Sequence, residues 1–124
     1  MEEVYQQLGE AGIREMVAAF YKRVQKDDVL GPMYPADDWE GSEKRLRDFL
    51  IFRFGGPDTY IQERGHPRLR MRHAPFAIGT AQRDRWLELM GAAMDETGVE
   101  GSIRESLDAF FAQVADFMRN QPEA

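Results

Sequence analysis

The chain reads as an all-α protein of about four main helices. Three observations predict this. Apolar residues recur at steps of three and four along separate stretches, glycine and proline pairs punctuate those stretches, and no segment alternates with the period of two expected of strands. From Glu10 to Lys26, Ile13, Met16, Val17, Phe20, Tyr21 and Val24 form one helical stripe. Asp27-Asp28 and Gly31-Pro32 break it, and Met33-Tyr34-Pro35 makes a tight connection. A second stripe joins Ser42, Arg45, Leu46, Phe49, Leu50 and Arg53. Gly55-Gly56-Pro57 ends it, with glycine past the last turn and proline preventing continuation.

Residues Pro57 to Arg68 lack a clear period and read as a loop, and Leu69 to His73 fits a short helix stopped before Pro75. Thr80 is the expected N-cap of a third long helix carrying Trp86, Leu87, Met90 and Met94 and ending near Gly98. Ser102 and Glu105 have the spacing of a capping box. They would open a last helix whose stripe is Ile103, Leu107, Phe110, Phe111, Val114, Phe117 and Met118.

With 124 residues, the chain is expected to form one domain, 1–124. Such a domain buries roughly two-thirds of its unfolded surface and folds without staples. The absence of cysteine excludes disulfides, thiolate zinc sites and cysteine-ligated iron–sulfur clusters. No apolar run approaches the ~20 residues of a membrane span. The opening MEEVYQQLGE is acidic, unlike a signal or transit peptide. A cytoplasmic protein without a membrane partner is expected. The formal net charge of -6 weighs against nucleic acid as the main partner.

Against that acidic balance, Arg64 to Phe76 reads RGHPRLRMRHAPF and holds both histidines, four arginines and no acidic residue. Long irregular segments inside compact domains are usually functional or disordered. His73 lies beside Arg70 and Arg72 and ahead of a stiff apolar exit, Ala74-Pro75-Phe76. Neutral imidazole is a good iron ligand, and guanidinium forks suit carboxylates. Haem makes both demands, an axial histidine and partners for two propionates. On the residues alone other readings stay open. They are a solvated histidine in a basic face, phosphate or RNA contact by the arginines, and a zinc site shared with His66. Tyr21 on its apolar stripe, Tyr34 in the connection and Trp86 read as core packing unless a cavity lies beside them. In a dry cavity their O–H and N–H groups become donors. Ser42 and Leu46 share a face one helical turn apart.

The residues Phe20-Tyr21, Met33-Tyr34-Pro35, Arg45-Leu46, Phe49-Leu50, Gly55-Gly56-Pro57 and Tyr60 resemble the group II truncated haemoglobins. So do the block Arg64–Phe76 and Arg83-Asp84 with Trp86-Leu87, and the resemblance covers nearly the whole chain. It implies a truncated globin-like two-over-two helical sandwich that binds haem b, with His73 as the proximal ligand of a five-coordinate iron. It implies Tyr21, Tyr34 and Trp86 as distal hydrogen-bond donors to diatomic gases (O2, CO, NO). Ser42 falls at the distal position where vertebrate globins carry histidine. Leu46, Phe49 and Leu50 match the pocket wall, Phe76 lies beside the cofactor, and Arg45 and Arg72 are the expected propionate contacts. Two departures stand out. Phe52 and Phe54 fall in a segment that usually ends in Tyr-Trp, and Ser42 replaces the commoner alanine.

The implied function is oxygen binding, sensing or storage by a monomer or weak homodimer. One alternative is a haem-dependent redox enzyme, for NO detoxification or peroxidase-like chemistry. It needs an unidentified reductase as partner, because the chain has no nicotinamide-binding glycine motif. The other is a haem-free helical interaction module with an arginine-rich loop.

Overall fold

The computed structural model describes residues 2–57 and 77–120. Among these are four α-helices, one 3-10 turn and no strand: α1 (Glu2–Val24), the 3-10 turn Gly31–Met33, α2 (Trp39–Arg53), α3 (Thr80–Glu96) and α4 (Gly101–Phe117). The expected short helix Leu69–His73, both histidines, Arg64, Arg68, Arg70, Arg72 and Phe76 lie outside the described residues.

The architecture is two helices over two. α1 packs on α2, α3 packs on α4, and α1 also reaches both helices of the other pair. Hydrophobic periodicity explains this. Ile13, Met16, Val17, Phe20 and Val24 of α1 are each fully buried. They meet Leu50 and Phe54 from the α2 side, Met90 and Met94 from α3, and Leu107 and Phe111 from α4 in one core. Each such side chain contributes about 1.5–3 kcal/mol of apolar burial, so the stripe on α1 dominates the cohesion of both layers.

Helix ends differ from the sequence expectation where backbone geometry overrides side-chain capping. The first helix starts at Glu2, ahead of the expected Glu10, through a kink at Gly9 (φ 67, ψ 177). Val4 thereby joins the core. α3 is capped by Gly79, one residue before Thr80, and the Gly79 N–H donates to Gln82 Oε1 at 2.9 Å. α4 is capped by Glu100 and has no side-chain cap, so Ser102 and Glu105 form no capping box. The positive φ of Gly101 (70°) turns the extended chain straight into the helix before Ser102 is reached. Phe117, expected in the core stripe, is 60% exposed. It is the last helical residue and lies at the edge of the face centred on Leu107 and Val114.

The C-terminal ends of α2 and α3 agree with the sequence. Gly55 (φ 98) follows α2 and the Gly56 N–H donates to Ile51 O at 2.8 Å. Gly98 (φ 75) follows α3, and the Val99 N–H donates to Met94 O at 2.9 Å. Both closures return the chain onto its own helix. The start of α3 is also tied to the end of α4, through the Asn120 N–H to Ile78 O and the Ile78 N–H to Asn120 Oδ1, each 2.8 Å.

The two kinds of glycine make opposite predictions. A Cβ at Gly9 would touch nothing within 4 Å, so Gly9→Ala reports backbone strain alone. Its conformation is essentially glycine-only, and the substitution should cost about 1–3 kcal/mol in urea unfolding. Gly98→Asn, in the left-handed region that asparagine tolerates, should cost less than about 1 kcal/mol. Equal losses at the two sites would mean that α1 is not kinked at Gly9.

Candidate functional site

A cavity of about 430 Å³ lies between the two layers. Its wall is mostly apolar. Leu46, Phe49 and Leu50 come from α2, Phe110, Phe111, Val114 and Ala115 from α4, and Leu30, Met33, Ile78 and Met118 from the connections and chain end. Tyr21, Tyr34 and Trp86 line one region, and Ser42, Arg45, Gln82 and Arg83 bring further polar atoms. The structure therefore brings together Tyr21, Tyr34, Ser42, Arg45, Leu46, Phe49, Leu50 and Trp86 around one space. His73, Arg72 and Phe76 are outside the described residues.

Aromatic packing orients the donors. The Trp86 ring lies 5.0 Å from Phe20 and 5.4 Å from Phe111, centroid to centroid. Tyr21 meets Phe20 edge-on at 5.2 Å and Tyr34 edge-on at 5.6 Å. Tyr34 stacks on Trp39 at 5.5 Å. Such pairs prefer these offset and edge geometries, so each ring has little freedom to turn. The polar tips of Tyr21 and Trp86 converge on the Tyr34 hydroxyl. An indole N–H can only donate, so Trp86 brings a donor to this cluster. Burial raises the Tyr21 hydroxyl well above the ordinary tyrosine pKa, and its charge repulsion and hydrogen bond with Tyr34 add to the rise. Burial also raises Tyr34, against the opposing hydrogen bonds from Tyr21 and Trp86.

Ser42 is buried on α2. Its Oγ accepts from Arg45 Nη2 at 3.1 Å, while Arg45 Nη1 reaches Asp38 Oδ2 at 3.1 Å. Arg45, expected to meet a propionate, thus lines the cavity with its guanidinium shared between Asp38 and Ser42. Arg83 likewise pairs with Asp116 at 2.8 Å and Asp84 at 3.0 Å. Sequence reasoning did not single out Arg83, Gln82 or the α4 residues as site-lining. The α4 positions carry the same helical spacing as core, so periodicity could not separate them. Among the described residues no group of three or more histidine, cysteine or acidic side chains is placed to hold a metal ion.

Two helices over two, enclosing an apolar cavity with a tyrosine–tryptophan donor cluster, is a globin arrangement. The sequence profile of the family described as bacterial-like globin matches residues 3–120. A group 2 truncated haemoglobin of Bacillus subtilis (strain 168) is 42% identical over 97% of this chain and 90% of its own length. The crystal structure of the haemoglobin from the thermophilic phototroph Chloroflexus aurantiacus superposes with a TM-score of 0.91, at 48% identity, over 95% of this chain and 98% of that one. The truncated oxygen-avid haemoglobin from Bacillus subtilis gives a TM-score of 0.90, at 39% identity, over 94% and 98%. The chain belongs to the bacterial-like globin family and, within it, to the group II truncated haemoglobins.

The raised tyrosines carry a pH signature. The folded state holds their protons above the ordinary pKa of about 10, so the stability linked to them is complete below that pH. It is lost as pH rises through the raised folded values, because the unfolded chain ionises first. Tyr21→Phe should therefore leave the phenolate absorbance of the folded protein at about pH 10 unchanged. Its missing amplitude should appear only in the step that accompanies alkaline unfolding. A loss of amplitude at about pH 10 would show that Tyr21 is solvated.

Proposed function

We propose that this chain binds haem b in the cavity, with His73 as the proximal ligand, Arg45 and Arg72 beside the propionates, and Phe76 against the ring. On that reading it captures dioxygen, CO or NO under the hydroxyls of Tyr21, Tyr34 and Ser42 and the indole of Trp86. The observation that carries the proposal is the convergence of Tyr21, Tyr34 and Trp86 within a mostly apolar cavity. The donor set fits the group: an apolar wall for a flat ring, arginines for carboxylates, and neutral donors for a small polarised guest. When bound, haem supplies an iron with one position open to a diatomic ligand.

The residues do the rest. The apolar wall excludes water, and a dry site makes each preset dipole count for more. Phe20 and Phe111 fix Trp86, and Trp39 fixes Tyr34, so the donors need no reorganisation when a guest gains negative charge. Tyr21, Tyr34 and Trp86 supply the donor protons from one side of the cavity. Ser42 offers a further proton, because its oxygen already accepts from Arg45. Tight, slowly released binding follows, as suits sensing, scavenging or storage. The oxygen avidity named for the Bacillus subtilis structure is consistent with that. A cytoplasmic site of action and a monomeric or weakly dimeric state belong to the same proposal.

An absorption spectrum in ferric, ferrous and CO-bound forms tests it. A Soret band is expected in the purified protein and should disappear in His73→Ala. A colourless wild type would sink the reading in favour of a haem-free helical module. Tyr34→Phe and Trp86→Phe should each raise the oxygen dissociation rate about ten- to a hundredfold, as expected for losing a hydrogen bond of about 1.5–3 kcal/mol. Unchanged rates would mean that the guest is held by other groups.

A further inference from the structure

Asp27 is a buried carboxylate outside the donor cluster, with a side chain only 2% exposed. Every polar atom of the residue is engaged. Oδ1 accepts from Arg85 Nε at 2.6 Å, and Arg85 Nη2 completes a fork on the same oxygen. Oδ2 accepts the Val29 N–H at 3.1 Å and the Leu30 N–H at 2.9 Å. The backbone carbonyl accepts the Gly31 N–H at 3.0 Å, and the Asp27 N–H donates to Val24 O at 3.0 Å. One residue thus ties the end of α1, the 3-10 turn and α3 together. Arg85 also contacts Glu88 at 2.9 Å, one turn along α3 in solvent.

The path from this carboxylate to the cavity is short and stiff. The Met33 N–H donates to Leu30 O at 3.0 Å and the Tyr34 N–H to Gly31 O at 3.2 Å, so a run of short-range hydrogen bonds links Asp27 to Tyr34. On the other side, Arg85 is the residue directly before Trp86 on α3. The ion pair therefore brackets two cavity-lining donors, Tyr34 through the turn that follows Asp27 and Trp86 through its neighbour Arg85. Here the carboxylate is buried and the guanidinium partly exposed, so desolvation of Asp27 offsets much of the attraction and the pair serves to fix register more than to add stability. Leu30, whose N–H is held by Asp27, lines the cavity itself.

We propose that the Asp27–Arg85 pair is a positioning pair that sets the Tyr34 hydroxyl against the Trp86 indole, and so the donor strength the cavity offers a diatomic guest. This rests on the reading of the cavity as a haem and diatomic-ligand site. Neither residue lines the cavity, and both act through Tyr34 and Trp86, which do.

The test uses the haem-loaded protein. Asp27→Asn keeps an oxygen for the Val29 and Leu30 amides but removes the charge, and Arg85→Gln removes the fork from the other side. Both should raise the oxygen dissociation rate about three- to tenfold and speed solvent exchange of the Trp86 indole proton, followed by NMR in the CO form. Arg85→Lys, which keeps the charge, should stay within about twofold of wild type. In a Tyr34→Phe background Asp27→Asn and Arg85→Gln should add nothing further, since the pair would have lost the group it positions. A merely structural role lowers Tm but leaves these rates alone. Rates within about twofold of wild type in Arg85→Gln overturn the proposal, as does the same fold-change in the Tyr34→Phe background. If Asp27→Asn does not fold, Arg85→Gln carries the test alone. A wild type without a Soret band would defeat the haem reading instead, so the two failures are distinct.

Discussion

The complete burial of one face of α1 is the constraint on which the other helices depend. Ile13, Met16, Val17, Phe20 and Val24 leave no room for water, so α2, α3 and α4 must all present apolar side chains to the same helix. A stripe shared by three partners fixes their positions relative to one another more strongly than pairwise contacts would. Interiors this dense transmit displacement instead of absorbing it. Tyr21 lies on that stripe, one residue from Phe20, and inherits its rigidity. The polar end of the cavity is anchored on the helix whose face is most completely buried.

That anchoring resolves a cost. Two phenol hydroxyls and an indole N–H in an apolar space would each be expensive if left unpaired. They gather around the Tyr34 hydroxyl, and the ring contacts with Phe20, Phe111 and Trp39 hold the arrangement. Of the three residues, Tyr34 is the one outside any long helix. Tyr34 sits on a short connection, so its placement needs support from outside the aromatic cluster. The hydrogen bonds of Asp27 and of the 3-10 turn provide it.

Much of this was legible in the sequence, for identifiable reasons. The four helices follow from apolar spacing, because burial imprints a period near 3.6 on whatever side chains fill a core. Tyr21, Tyr34 and Trp86 stood out because each carries a polar atom that a purely apolar environment would penalise. The helix starts were less legible. Thr80 and Ser102 are good capping types, but α3 begins from the extended Gly79 and the chain into α4 is turned by Gly101, whose positive φ leaves no side-chain signature. The far wall of the cavity was hidden, since Phe110, Phe111 and Val114 look the same lining a space as filling one. Asp27 read only as a helix breaker. Its partner Arg85 is 58 residues away, and no local pattern joins them.

The two ends of the cavity differ in what it costs to disturb them. At the donor end the groups are desolvated and mutually paired, so moving one strands another. Arg45 and Arg83 instead hold carboxylates that are half-exposed or more, Asp38, Asp84 and Asp116. Pairs of that kind contribute little net stability and exchange partners readily. An apolar guest with an anionic edge is therefore oriented by energetics alone, its edge toward the exchangeable arginines and its body against Leu46, Phe49 and Val114. Ser42 links the two regimes. Its oxygen is held by Arg45, so any carboxylate that draws Arg45 away changes the direction in which the Ser42 hydroxyl can donate. Ser42 thus ties a buried hydroxyl of the cavity to one of its arginines.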